Sequence, residues 1–346
     1  MAVQVAYKIK IGRQLASSQQ RESNLQLLAL KTELSMDDVG GRCEVSLVGG
    51  EGTPIAGKIG DEVTVELDAG NGAKRVFTGE VESLQTDANT QRIIASDGLV
   101  KLARMDIEAG FEQVNVDFIV KQLLDDAGLT AGEVEKGPQL AAYTLHRGPR
   151  ALQHMRNLAR LCGVDLFTDG EGHAHFVAEK ESSKEYRLKY GESILTLDLK
   201  SEPPLFDGIA VQGEGAASSK GAEKFHWLPS DLTGVSATAA LSEKGQAKPN
   251  AKVKRALQFS SGAVRSGEAA TYVAEQHMKA IAARQIRGRI KIFAKPGIEP
   301  GDHISIDALP DNHVATELLQ KNNRLRVRCV RHELDRTRGF ITHMVV

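Results

Sequence analysis

Aromatic side chains supply only 5% of the 346 residues, and tryptophan occurs once, as Trp227. A cell-wall-acting enzyme on a β scaffold, cutting peptidoglycan or another glycan, is the alternative reading of this chain. It would need clustered aromatics or carboxylates, and the sequence shows neither. Cysteine is equally sparse: Cys43, Cys162 and Cys329 are odd in number, more than a hundred residues apart and form no CxxC. That excludes a disulfide framework and a zinc ribbon. Long apolar runs are missing too. The start, Met1 to Lys10, interrupts its apolar residues at every second position, which fits neither a signal peptide nor a membrane span. It predicts a soluble chain made inside the cell. Basic excess is also absent: 44 Lys+Arg stand against 45 Asp+Glu, so the signature of a dedicated nucleic-acid binder is not there.

Charge is nevertheless uneven along the chain. Residues 251–346 hold 17 Lys+Arg and 9 Asp+Glu, a net of +8, and residues 1–250 hold 27 and 36, a net of −9. Opposite potentials at two ends of one molecule suit head-to-tail stacking or an acidic partner. Solvated strand faces such as Arg324, Arg326 and Arg328, alternating with Leu325, Val327 and Cys329, account for the same numbers.

At roughly 150 residues per domain, this length predicts two or three domains. From Val3 to Gly98 apolar alternation marks strands at 27–34, 43–48, 62–67, 76–84 and 92–95, separated by turn residues that include Asn71-Gly72. An antiparallel barrel or sandwich follows. Near residue 100 the period changes. Val116, Ile119, Val120, Leu123, Leu124 and Ala127 form one helical stripe, capped by Asn115 and ended by Gly128. A second stripe runs from Ala151 to Cys162, with Pro149 at its start and Gly163 at its end. A hairpin over 164–177 completes a compact α/β unit. Strands return at 193–199 and 208–212, and a helix over 267–285, capped by Ser266, leads into a strand over 289–294. Residues 213–252, rich in Gly, Ala, Ser and Lys, read as a long irregular loop. Trp227 within it predicts docking, either on the chain itself or on a partner.

The two β regions resemble each other. Gly60-Asp61-Glu62-Val63-Thr64-Val65 has a counterpart in Gly301-Asp302-His303-Ile304-Ser305-Ile306. Each is followed by an apolar strand, Phe77 to Leu84 or Leu325 to Val330. The closing segments also align, Asp87, Thr90 and Ile93-Ile94 with Asp335, Thr337 and Phe340-Ile341. Three matches in one order predict a single β module used twice. Three such chains would display six near-equivalent modules, a geometry that matches threefold symmetry on one side to sixfold on the other.

Catalytic constellations are not apparent. Gly52-Thr-Pro-Ile-Ala-Gly57-Lys58 fits most of a phosphate loop, but Ile59 replaces the metal-coordinating hydroxyl and a strand follows instead of a helix. Gly213-Glu-Gly215 echoes a dinucleotide turn, with Ser218 in place of the third glycine. His173 and His175, beside Asp169 and Glu171, have a metal-compatible spacing without further ligands, and read as the exposed face of a hairpin. His277 reads as a hydrogen-bonded core or interface residue and His154 as solvated. GxSxG and HExxH are both missing. We assign no catalytic, cofactor-binding or metal residue and no cofactor; the reading is a noncatalytic protein.

The order of these elements resembles the phage tail baseplate hub family, which includes late-control D proteins, the phage T4 hub and the N-terminal part of type VI secretion spike proteins. The residues that carry it are Gly60 to Val65 with Phe77 to Val81, the helix Asp117 to Leu129, the run Leu152 to Gly163 leading into Val164 to Gly170, and Pro300 to Ile306. The resemblance implies a mainly β fold with an α/β insertion: a first tube-protein-like β-barrel over 1–105, the insertion over 106–190, and a second barrel over 191–346 carrying the loop 213–252. It implies a homotrimer whose barrels form a pseudo-sixfold ring. Such a structural hub joins a hexameric tail tube, or a tube-initiator protein, to a trimeric spike. Around it lie other baseplate proteins, and its central lumen passes DNA or effector protein as cargo. Because the sequence stops at Val346, the spike is expected to be a separate protein. The expected location is a virion tail or injection-system particle assembled in the bacterial cytoplasm.

Overall fold

A computed structural model describes residues 5–19, 23–38, 40–50, 52–179, 183–202, 204–214, 235–242, 247–320 and 322–346. The first β region comprises β1 (Ala6–Ile11), β2 (Gln14–Ser17), β3 (Leu27–Ser35), β4 (Arg42–Val48), β5 (Glu62–Asp68), β6 (Lys74–Thr86) and β7 (Thr90–Ser96). Next come α1 (Leu99–Arg104), β8 (Ala109–Asn115), α2 (Val116–Asp126), β9 (Ala131–Val134), β10 (Gln139–Leu145), α3 (Ala151–Cys162), β11 (Asp165–Thr168), β12 (Ala174–Val177) and β13 (Glu185–Lys189). The remainder holds β14 (Ile194–Ser201), β15 (Gly208–Gly213), β16 (Ser236–Leu241), β17 (Ala247–Pro249), β18 (Ala256–Ser261), α4 (Gly267–Ala283), β19 (Ile286–Phe293), β20 (His303–Asp307), α5 (Val314–Leu319), β21 (Leu325–Arg326), β22 (Cys329–Asp335) and β23 (Gly339–Val345).

The fold is mainly β, and both β regions share one sheet of eleven strands in the order β14-β19-β23-β22-β3-β4-β7-β6-β5-β1-β2. Alternation explains its strands: in β4 and β5 every second residue is buried, Cys43, Val45 and Leu47 in one and Val63, Val65 and Leu67 in the other. Their outward neighbours are polar, so only one register keeps the apolar set dry.

Among the described residues three large cores form, beside a small cluster of Met36, Phe167 and Val177. One fills the first β region around Phe77, Ile9 and Ile93, and one fills the second around Ile290, Ile304 and Val327. The third belongs to the α/β body. It unites Leu99 through Phe176 with Ile209 through Met278, so β15 to β18 and α4 pack with α2 and α3 although a β segment separates them in sequence. Helix α3 ends at Gly163, whose left-handed backbone (φ 65°) suits glycine, and α4 begins at Ser266, whose hydroxyl accepts from Ala269 N at 3.1 Å.

Within 213–252 the irregular loop is corrected in part. β16 and β17 pair in a four-stranded sheet, order β17-β16-β15-β18. Ala237 and Ala239 are buried there against α4, and such small side chains gave the alternation little hydrophobic contrast. Trp227 lies outside the described residues. The antiparallel pair of β8 and β10, with α2 and β9 between them in the chain, carries no clear sequence signal because its faces alternate weakly.

Candidate assembly interface

The two β regions repeat one strand order. β3-β4-β7-β6-β5 in the first corresponds to β14-β19-β23-(β22, β21)-β20 in the second, with every neighbouring pair antiparallel in both. The outer strand differs: β1 runs antiparallel to β5, whereas β13 runs parallel to β20.

Residue registers agree through the whole set. Gly60 N donates to Val81 O at 2.9 Å and Val81 N to Asp61 O at 2.8 Å; Gly301 N donates to Val327 O and Val327 N to Asp302 O, each at 2.8 Å. Val81 therefore matches Val327. Beyond it, Glu82 is skipped in the β6–β7 ladder, and Arg328, its counterpart, is likewise passed over between Val327 and the Cys329–Val345 pair. On the far side, Leu28 is bulged out of the β3–β4 ladder and Leu195 out of the β14–β19 ladder, which equates Leu27 with Ile194 and Thr32 with Leu199. A bulge is a specific local geometry, and finding it at the same position in both copies marks one module used twice. The sequence match of the closing segments is corrected by these ladders. Ile93 pairs with Leu84 as Met344 pairs with Val330, so Met344, not Phe340, is its counterpart. The β22–β23 hairpin carries three further residue pairs, which shifted the turn residues out of step.

The modules meet where β3 pairs with β22, from Cys329 opposite Ser35 to Asp335 opposite Ala29. On the core side, Val330 faces Leu34 and His332 faces Thr32, all buried. His332 Nδ1 lies 3.0 Å from Thr342 Oγ1, and burial holds its pKa down at about 3. On the other face Arg331 reaches Glu33 at 3.7 Å.

An ionic cluster locks this junction to the α/β body. Arg328 makes a two-pronged contact with Asp37, at 2.6 and 2.9 Å, and reaches Asp165 at 2.9 Å. Asp165 also accepts from Arg326 at 2.7 Å and from Arg284 at 3.3 Å. Burial alone would raise the Asp165 pKa; the charges of Arg328, Arg326 and Arg284 outweigh it and hold the carboxyl below its ordinary value. The cluster lines a cleft of about 1000 Å³ between α3, α4 and the sheet, which Arg160, Lys279, Arg287 and Arg289 also border. A second buried carboxylate, Asp97, accepts from Gly41 N, Leu99 N and Thr168 Oγ1, so first module, α1 and β11 meet at one side chain. Burial raises its pKa.

The histidines settle into structural positions. His173 Nδ1 and His175 Nε2 lie 3.2 and 3.0 Å from one oxygen of Asp169. His175 Nδ1 accepts from Glu133 N, which assigns the ring proton to Nε2, and its ring stacks on Phe167. Among the described residues no group of three or more His, Cys, Asp and Glu is placed to hold a metal ion. His154 is buried, not solvated: Nε2 lies 3.2 Å from His146 O and the rings meet edge to face. His277 packs on the Phe259 ring with Nε2 buried and unpartnered, and burial lowers its pKa. No helix follows Lys58; Gly60 and Asp61 lead into β5. Gly213 ends β15, while Gly215 and Ser218 lie outside the described residues. No helix among the described residues is long and apolar enough to cross a membrane.

No protein-family profile and no curated protein sequence matches the chain. Solved structures do. A 43 kDa tail protein of prophage MuSo2 from Shewanella oneidensis matches with a TM-score of 0.66 at 14% identity, over 99% of this chain and 98% of that one. A tail protein from Neisseria meningitidis MC58 matches with 0.66 at 12% identity, over 99% and 95%. The E. coli c3393 protein, described as a type VI secretion component structurally similar to T4 bacteriophage tail proteins, matches with 0.56 at 12% identity, over 98% and 76%. Over 99% of its length, this chain has the fold of these two tail proteins.

Proposed function

We propose that the chain is the structural baseplate hub of a contractile phage tail or a phage-derived injection system, a homotrimeric adaptor that joins a hexameric tail tube to a trimeric spike around a cargo lumen. The observation that carries this reading is the doubled module, matched in the order of its antiparallel strands and in the bulge at Leu28 and Leu195. Three chains with two equivalent modules each supply six near-identical units, which is what joining a sixfold to a threefold partner requires. The likeness to phage tail proteins supports it.

In this reading 1–105 and 191–346 are the tube-like units and 106–190 is the insertion, with β15 to β18 and α4 added to the insertion's core. Tube protein, spike and baseplate proteins are the partners, the particle is assembled in the bacterial cytoplasm, and the role is noncatalytic. The segment around Trp227 is assigned to a contact with an adjacent subunit or tube protein. Light scattering of the whole chain, with and without tube and spike proteins, tests the reading. The expected mass is three times 37.4 kDa, about 112 kDa. A monomer both alone and with tube and spike proteins, or turnover of cell-wall polymer, overturns it.

A further inference from the structure

The junction between β3 and β22 is filled once per chain, but the doubled module offers it twice. β14 is the counterpart of β3, and among the described residues no strand pairs with its second edge. β6 is the counterpart of β21 and β22. Its first part is taken by β5 up to Val81, and beyond that point the same edge of Glu82 to Thr86 has no strand beside it among the described residues. Exposure records the difference. Leu84 is 37% exposed, whereas its counterpart Val330, covered by β3, is 3% exposed. Along β14 Thr196, Asp198, Lys200 and Ser201 are exposed, and the bulged Leu195 is 41% exposed. Two open, equivalent edges on one chain, each with a built example of its missing partner, specify how a second copy attaches.

We infer that β14 of one copy pairs antiparallel with Ser83 to Thr86 of the next, repeating the β3–β22 register; this rests on the trimeric hub reading. Carrying the ladder Cys329–Ser35, Val330–Leu34, Arg331–Glu33 and His332–Thr32 across the duplication places Ser83 opposite Glu202, Leu84 opposite Ser201, Gln85 opposite Lys200 and Thr86 opposite Leu199. Leu84 and Leu199 then lie diagonally on the core side, where such neighbours touch. The contact is heterologous, β6 against β14, so it recurs from copy to copy until the rotation closes.

Disulfide trapping tests the register. Gln85→Cys and Lys200→Cys are introduced together, with Cys329→Ser, the residue its counterpart Ser83 already is. Mild oxidation of the whole chain should give a covalent ladder that stops at three subunits. Mixing the two single variants should give dimers only, because each copy then offers one half of the contact. Thr196→Cys replaces Lys200→Cys as the register control, since four residues along a strand span about 13 Å, beyond disulfide reach. Trapping through Lys200 and not Thr196 supports the inference. A trimer by light scattering that traps through Thr196, or through neither, overturns the register and leaves the hub reading standing. A monomer that fails to trap overturns both.

Discussion

Replacing Asp165 tests how the two modules and the α/β body are held as one unit. Among the described residues its carboxylate, 12% exposed, is the only acid contacting Arg284, Arg326 and Arg328 together; Asp37 contacts Arg328 and is itself half exposed. Removing one partner of a buried ion pair costs about 3–5 kcal/mol, because the remaining charge is left in a poor solvent without compensation. Asp165→Ala should therefore lower unfolding free energy by about 4 kcal/mol. Asp165→Asn retains an acceptor but not the charge, and about 2 kcal/mol is expected. The pH dependence follows from the depressed folded pKa. The carboxylate's contribution is complete above the ordinary value of 3.8 and is lost as pH falls through the lower folded value. Urea unfolding of wild type and both variants at pH 7 and pH 3 measures this. A loss under about 1 kcal/mol for Asp165→Ala, or a wild-type advantage that grows on acidification, would refute the reasoning, since either outcome means that Asp165 does not stabilise the arginines as a charge.

Two further groups give opposite pH slopes. Burial first, and then the charge of Glu299, raise Asp302 from 3.8 to about 6, so the folded form favours the proton and the group's contribution improves as pH falls through 6 towards 4. Asp302→Asn should raise stability at pH 7 by up to about 3 kcal/mol and remove that acid gain in thermal or urea unfolding, and a less stable variant would sink the assignment. For His332 the depressed folded value of about 3 means that its contribution is complete above 6.5 and is lost progressively between 6.5 and 3. His332→Gln, which can still partner Thr342, should reduce the loss between pH 6.5 and pH 4 by about 3 kcal/mol, and an unchanged acid slope would show that His332 is not the group responsible.

Strands were legible where one face is dry and the other wet. The alternation places β4, β5 and β7 within two residues of their observed ends, because every second position is buried: Cys, Val and Leu in β4 and β5, and Gln91, Ile93 and Ala95 in β7. The helices α2, α3 and α4 were equally clear from their stripes and caps. The core of the α/β body was not, because it is assembled from 99–178 and 209–281 and no local pattern announces a long-range partner. The interface was half visible. The Gly60-Asp61 and Gly301-Asp302 pairs located the equivalent β strands, but the β22–β23 hairpin is longer than the β6–β7 hairpin. Turn residues therefore align in sequence while their strands do not align in space. Edge strands carry no mark of their own. Leu84 and Leu199 read as ordinary core alternation, and only the ladders show that one side of each is open.

The position of the α/β body decides what each side of a ring offers. β7 runs directly into α1, and Arg42 pairs with Ser96, so the turn between β3 and β4 lies at the same end of the module as that exit. In the second module the corresponding turn is replaced by the whole segment from Glu202 to Gln285, again beside the end of the last strand, where Val346 pairs with Gly288. Both modules therefore send their added chain to one end, and there it merges into a single body per subunit. At the opposite end lie the hairpin turns Asp87–Thr90 and Asp335–Gly339, one from each module, beside the segments that leave β4 after Val48 and β19 after Phe293. In the trimeric ring proposed above, this would place six hairpin ends, two per chain, on one face and three α/β bodies on the other. Under that proposal a hexameric partner would match the first face and a trimeric partner the second. The insertion breaks the sixfold repetition on one side only, which is how a duplicated chain can meet partners of both symmetries.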